Sequence, residues 1–127
     1  MYKKFSTGQS LVEFALILPI MLLLILGALE FGRLFYIKVA LQNAAREGAY
    51  QLSYSPSDLV SMQNAVLEEG DSMGISINRD SDILVTDCCT RFEPVEVTVK
   101  QDDVPLLIFG FFIGDVDLSS SARMMVQ

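Results

Sequence analysis

From Phe14 to Leu29 the chain has no charged or strongly polar side chain, and this run constrains its folding more than any other feature. As an α-helix rising about 1.5 Å per residue it reaches roughly 24 Å, short of a bilayer core of about 30 Å. Extending it back over Leu11 and Val12 gives roughly 28 Å but takes in Glu13, which then has to sit at the interface, be protonated or find a partner. At the other end Glu30 and Arg33 lie three apart on one helical face and can pair. Phe31, Phe35 and Tyr36 resemble an interfacial aromatic belt, so the outer edge of a span falls near residue 30.

Charge divides the chain in two. Residues 1–50 carry five basic groups (Lys3, Lys4, Arg33, Lys38, Arg46) against three acidic ones (Glu13, Glu30, Glu47), a net of +2, and the remainder carries four basic against thirteen acidic groups, a net of -9. Phosphate binding needs clustered Lys and Arg, so nucleic acid is not an expected partner. With no histidine and only two cysteines, Cys88 and Cys89, which are adjacent, the usual zinc sites and the Ser-His and Cys-His nucleophile pairs lack their parts. No enzyme activity and no cofactor or metal is expected.

Three readings fit the apolar run. A cleaved secretory signal needs small residues at a cut site after the run, and none follows well. A plain anchor is compatible with Pro19, because membrane helices tolerate a proline kink. The third reading starts from the residues just ahead, Gly8-Gln9-Ser10-Leu11-Val12-Glu13-Phe14, which follow a short leader containing Lys3 and Lys4.

This stretch resembles the class III signal of type IV pilin-like proteins, with a glutamate, here Glu13, fifth after the glycine. The closer similarity is to the TadE-like family of pilin-like proteins from tight-adherence pilus systems. Four clusters carry it in order: Gly8 to Ala15, Pro19, Glu30 to Arg33, and Ala44 to Gly48. It is dense over the first 50 residues and loose beyond. The resemblance implies that a prepilin peptidase cuts between Gly8 and Gln9, that residues 1–8 are a leader peptide, and that the helix stays in the mature chain. It implies further that Glu13 meets the freed amine of Gln9 on an adjacent subunit. Gln9 stands where many type IV pilins have phenylalanine, so methylation of that amine is not implied. Basic residues flank the run on both sides and their count does not orient it. The resemblance puts the amino terminus in the cytoplasm and the C-terminal region outside the cytoplasmic membrane.

Beyond the run the helical period continues, with Ile37, Leu41, Ala44, Ala45, Gly48 and Leu52 on one stripe and Lys38, Gln42, Asn43, Arg46 and Glu47 facing away. Ala44, Ala45 and Gly48, and nearer the bilayer Ala28 and Gly32, permit close approach of another backbone. That partner is either a neighbouring subunit or the chain's own sheet. The expected organisation is a leader over 1–8, a long helix over 9–52 with its transmembrane part at about 11–30, and an extracytoplasmic α+β region over 53–127.

In that region Ser55 reads as a helix cap, Pro56 as the first helical position and Asp58 as a first-turn acid, with Gly70 closing the segment and Leu59, Met62 and Val66 forming its apolar face. Alternation at Ile75 and Ile77, the run Ile83-Leu84-Val85, alternation at Val95, Val97 and Val99, and a last stretch through Val116, Leu118, Ala122 and Met124 predict a small antiparallel sheet of three or four strands, packed on the outer half of the long helix. The fold class is therefore α+β and pilin-like. The apolar connection Val104 to Ile113 is too short for a second span and reads as a core loop or, alternatively, as an exposed patch for a subunit or a membrane surface. Asn78, Asp80 and Asp82 have the opening spacing of a calcium loop, but Ile83 replaces the turn glycine and Cys89 the closing glutamate, so they read as a solvated face. A trans peptide holds the α-carbons of Cys88 and Cys89 about 3.8 Å apart, which would strain a disulfide between them. Two thiols, a strained vicinal bond and cross-links to other chains all stay open.

The expected function is that of a minor pilin or pseudopilin-like structural component of a tight-adherence pilus, whose partners are the lipid bilayer, the prepilin peptidase, other pilin-like subunits and the assembly machinery. The alternative is an uncleaved single-span protein serving as an accessory binding module of an envelope complex.

Overall fold

A computed structural model describes residues 7–87 and 90–127. Most of the expected leader, with Lys3 and Lys4, and the pair Cys88 and Cys89 lie outside the described residues. One helix, α1 (Thr7–Tyr54), runs through 48 residues, or about 72 Å at 1.5 Å per residue, with Pro19 inside it. It is longer at both ends than the periodicity predicts. Its amino-terminal part is long and apolar enough to cross a membrane, with a mean hydropathy of 2.6 and no burial within the fold. The aliphatic side chains from Leu11 to Leu26 are all exposed.

The outer half of α1 has a different surface. Ile37, Ala40, Leu41, Ala44, Ala45, Ala49 and Leu52 recur every three or four residues and are buried, so one stripe of the helix is core. Serine and proline stop the helix: Pro56 disfavours helical backbone at Ser55, and the Ser55 amide makes the last bond, to Gln51 O.

The next helix, α2 (Leu59–Ser72), starts later than the expected cap at Ser55. Asp58 is the cap, and its carboxylate accepts from the Ser61 amide at 3.0 Å and the Ser61 hydroxyl at 2.6 Å. Pro56 therefore lies in the turn ahead of the helix. Met62, Val66 and Gly70 face the core, and Leu59 stays exposed. Gly70 sits within the helix and does not close it: the chain leaves through Met73 and Gly74, whose φ is +70°.

Among the described residues three strands follow, β1 (Ile83–Thr86), β2 (Pro94–Val104) and β3 (Val116–Met125), in an antiparallel sheet with β2 central. Ile83 pairs with Val99 and Val85 with Val97, while Val95, Val97 and Val99 face Met124, Ala122 and Ser120. Alternation puts Val95, Val97 and Val99 wholly in the core against α1 and α2, with Ile83 and Ala122 beside them. Residues 75–77 make no fourth strand. The Ile75 amide bonds Gly70 O at 2.9 Å, so this segment finishes α2, and its alternation reflects packing of Ile75 and Ile77 without strand pairing.

Gly48 is where the layers meet most closely. A methyl group there would lie 2.6 Å from Val66 Cγ2 and 3.2 Å from Val97 Cγ1, so hydrogen at this position lets both α2 and β2 seat on α1. The carboxyl end is tied to the same helix, the Gln127 amide donating to Ser53 O at 3.0 Å.

Candidate assembly and membrane-facing site

The residues expected to act in processing and assembly lie along α1. Gly8 and Gln9 form part of its first turn and are exposed. Glu13 is exposed one turn further on, and its Oε1 accepts from Nε2 of its own Gln9 at 3.2 Å. Helical spacing thus brings residue 9 and residue 13 to one face, where their side chains bond across a single turn.

Of the small residues, Ala44, Ala45 and Gly48 are buried by the chain's own α2 and sheet. Ala28 and Gly32 are exposed, and a methyl at Gly32 would meet none of the described residues within 4 Å. Any close helix contact with another chain therefore has Ala28 and Gly32 free for it, while the outer three are already used.

The expected pairing of Glu30 and Arg33 is present at 3.6 Å, and it is half of a larger arrangement. Glu30 is only 5% exposed. Its two carboxylate oxygens accept from the Leu107 amide at 3.0 Å and the Ile108 amide at 2.9 Å, while Arg33 donates to Pro105 O. A carboxylate hydrogen-bonded to two amides and paired with a guanidinium has its charge well satisfied, which is the condition for burying it. The pair clasps the β2–β3 connection to α1, some 75 residues away in sequence. Sequence reasoning found the ion pair and missed the clasp. The available signal was an apolar, proline-containing loop with free amides and a Glu-Arg pair at the end of an apolar helix.

That connection is not a core loop. After Val104 the chain passes through Pro105 to a single helical turn, α3 (Gly110–Ile113), and Leu107, Phe111, Phe112 and Ile113 are exposed. Of the expected aromatic belt, Phe31, Phe35 and Tyr36 are all exposed, and the Tyr36 hydroxyl donates to Met73 O at 2.9 Å. Asn78, Asp80 and Asp82 close a loop on themselves, Asp82 Oδ2 accepting from the Asn78 amide at 2.8 Å and Asn78 Oδ1 from the Asp80 amide at 3.1 Å. Among the described residues no cluster of three metal-ligating side chains is assembled.

No curated protein and no solved structure matches the chain. The family model described as TadE-like protein matches residues 8–49, the stretch that holds Gly8, Glu13, the Glu30-Arg33 clasp and the packing stripe as far as Ala49. Over these residues, about a third of the chain, the protein is similar to that family.

Proposed function

We propose that this protein is a minor pilin or pseudopilin-like structural component of a tight-adherence pilus. It is made as a precursor in the cytoplasmic membrane with its amino terminus in the cytoplasm, and a prepilin peptidase cuts it between Gly8 and Gln9. The observation that carries this reading is the division of α1 into an uncovered apolar half, beginning at a glycine with an acid five residues on, and a half built into a folded outer region. The match over residues 8–49 supports it. The mature helix stays in the bilayer, and Glu13 pairs with the new amine of Gln9 on an adjacent subunit, where low dielectric strengthens the attraction and makes an unpaired charge costly. Lateral contact with that subunit uses Ala28 and Gly32.

Intact-mass measurement on the protein extracted from its native membrane tests the processing step. The wild type is expected to lack residues 1–8 and Gly8→Leu to keep them; the same uncut mass for both would remove the pilin reading. Glu13→Ala separates assembly from anchoring. It should be cleaved and inserted normally yet fail to co-purify with the pilus machinery, and normal recovery of the cleaved variant in the complex would defeat the pairing.

A further inference from the structure

The clasp at Glu30 and Arg33 fixes the height of the β2–β3 connection along α1, and the contacts descend in order. Pro105 meets Arg33, Leu107 and Ile108 meet Glu30, and the Phe109 ring lies over Gly27, where a methyl group would meet its Cε2 at 3.8 Å. On the return the chain climbs: Ser119 O accepts from Lys38 and Ser121 O from Gln42, the latter at 3.0 Å. The turn between them is therefore the lowest point of the outer region, pointing toward the apolar half of α1. A bilayer core of about 30 Å that begins near Leu11 ends about twenty residues later, beside Glu30. The turn carries four apolar side chains that are largely uncovered among the described residues, with Phe111 94% and Phe112 82% exposed beside Leu107 and Ile113. An uncovered apolar patch is unusual on a soluble surface, and this one adjoins α1, Ile113 sharing a cleft with Phe31 and Leu107 one with Leu29.

We propose that the tip from Leu107 to Ile113 is a second membrane contact, placing Leu107, Phe111, Phe112 and Ile113 in the outer-leaflet interface of the bilayer that α1 crosses. The proposal rests on the reading of α1 as a span. The two phenylalanine rings, edge to face at 5.4 Å, sit where aromatic side chains are favoured, and together with Phe31 and Phe35 they extend the belt from one helix to a broader footing. Asp102, Asp103, Asp115 and Asp117 flank the tip and are exposed, so apolar burial drives the contact and anionic headgroups do not. A helix held at one further point cannot tilt or rotate freely beneath its outer region, and the clasp thereby sets the angle at which that region stands on the membrane.

The chain contains no tryptophan, so single substitutions provide unique fluorescent probes. Full-length Phe111→Trp and Phe112→Trp are reconstituted in phosphatidylcholine vesicles with brominated or unbrominated acyl chains. Leu22→Trp reports on the span, and Phe92→Trp on the far end, where the Phe92 amide bonds Val126 O close to the end of α1. Bromine should take most of the emission at residues 22, 111 and 112 and leave residue 92 bright, with no dependence on added salt. Quenching at 22 but not at 111 and 112 would overturn the tip contact and leave the span standing. Blue-shifted, unquenched emission at 111 and 112 would put a protein neighbour there in place of lipid, and would equally overturn the tip contact. No quenching at 22 would overturn the span and the tip contact with it.

Discussion

Leu22 and Leu41 belong to the same uninterrupted helix, yet Leu22 is 49% exposed and Leu41 is wholly buried. The two halves of α1 solve different problems. The first is apolar on every side, as a helix must be where its surroundings are apolar on every side. The second is apolar on one stripe, because only that stripe meets α2 and the sheet, while Arg46 and Glu47 face water. A helix is a passive rod in this respect: apart from the bond that Pro19 cannot donate, its backbone follows one pattern in both halves, and the side-chain pattern tells which half can be covered by this chain. The junction is at Glu30 and Arg33, where the pattern changes and where the polar pair is used to hold the loop.

Removing the second half should have the largest effect. Among the described residues, seven of the seventeen buried hydrophobic ones come from α1 between Ile37 and Leu52. A fragment beginning near Arg33 is expected to melt cooperatively by circular dichroism, and one beginning near Ser53 to show no cooperative transition, since so small a remnant buries little of its surface. Equal melting temperatures would mean that the helix is not part of the outer fold.

A paired substitution sharpens the comparison within the intact helix. Leu41→Ala should destabilise the outer region by about 2–5 kcal/mol through lost burial and a cavity, whereas Leu22→Ala should leave its unfolding midpoint where it was. Denaturant unfolding of the full chain in detergent, followed through the outer region, reads both. A comparable loss from Leu22→Ala would break the division of α1 into covered and uncovered halves.

The smallest effect concerns the cap of α2. Hydrogen bonds from the Ser61 hydroxyl and then the Ser61 amide hold the Asp58 carboxyl below its ordinary value near 3.8, against a smaller opposing cost of desolvation. A carboxyl depressed by folding adds stability that is complete above its unfolded value and fades as the pH falls through the lower folded one. The melting temperature of the Arg33 fragment should therefore lose this contribution below about pH 4, and Asp58→Asn, which keeps an acceptor without the charge, should flatten that part of the profile. An unchanged profile in the variant would remove Asp58 from the account.

Much of this architecture is legible along the chain because it depends on local period. Sixteen apolar residues without a charge announce a span-like helix, a stripe from Ile37 to Leu52 announces a packing face, and alternation at Val95, Val97 and Val99 announces a strand, whatever else is nearby. The pairing of Glu30 with Arg33 is equally local, three residues apart on one face. What the local pattern could not carry is the identity of the partner. Ile75 and Ile77 alternate as a strand does, and only the bond from the Ile75 amide to Gly70 O makes them the end of a helix. Ala44, Ala45 and Gly48 are equally suited to a neighbouring subunit or to the chain's own sheet, and the close fit of Val66 and Val97 around Gly48 is a tertiary fact. Glu30 could not be read as a clasp because its donors, the amides of Leu107 and Ile108, arrive from a loop whose position depends on the whole sheet. Period is set by neighbours three or four residues away, and so it is written in the sequence; contact between residues 30 and 107 exists only once the chain between them has folded.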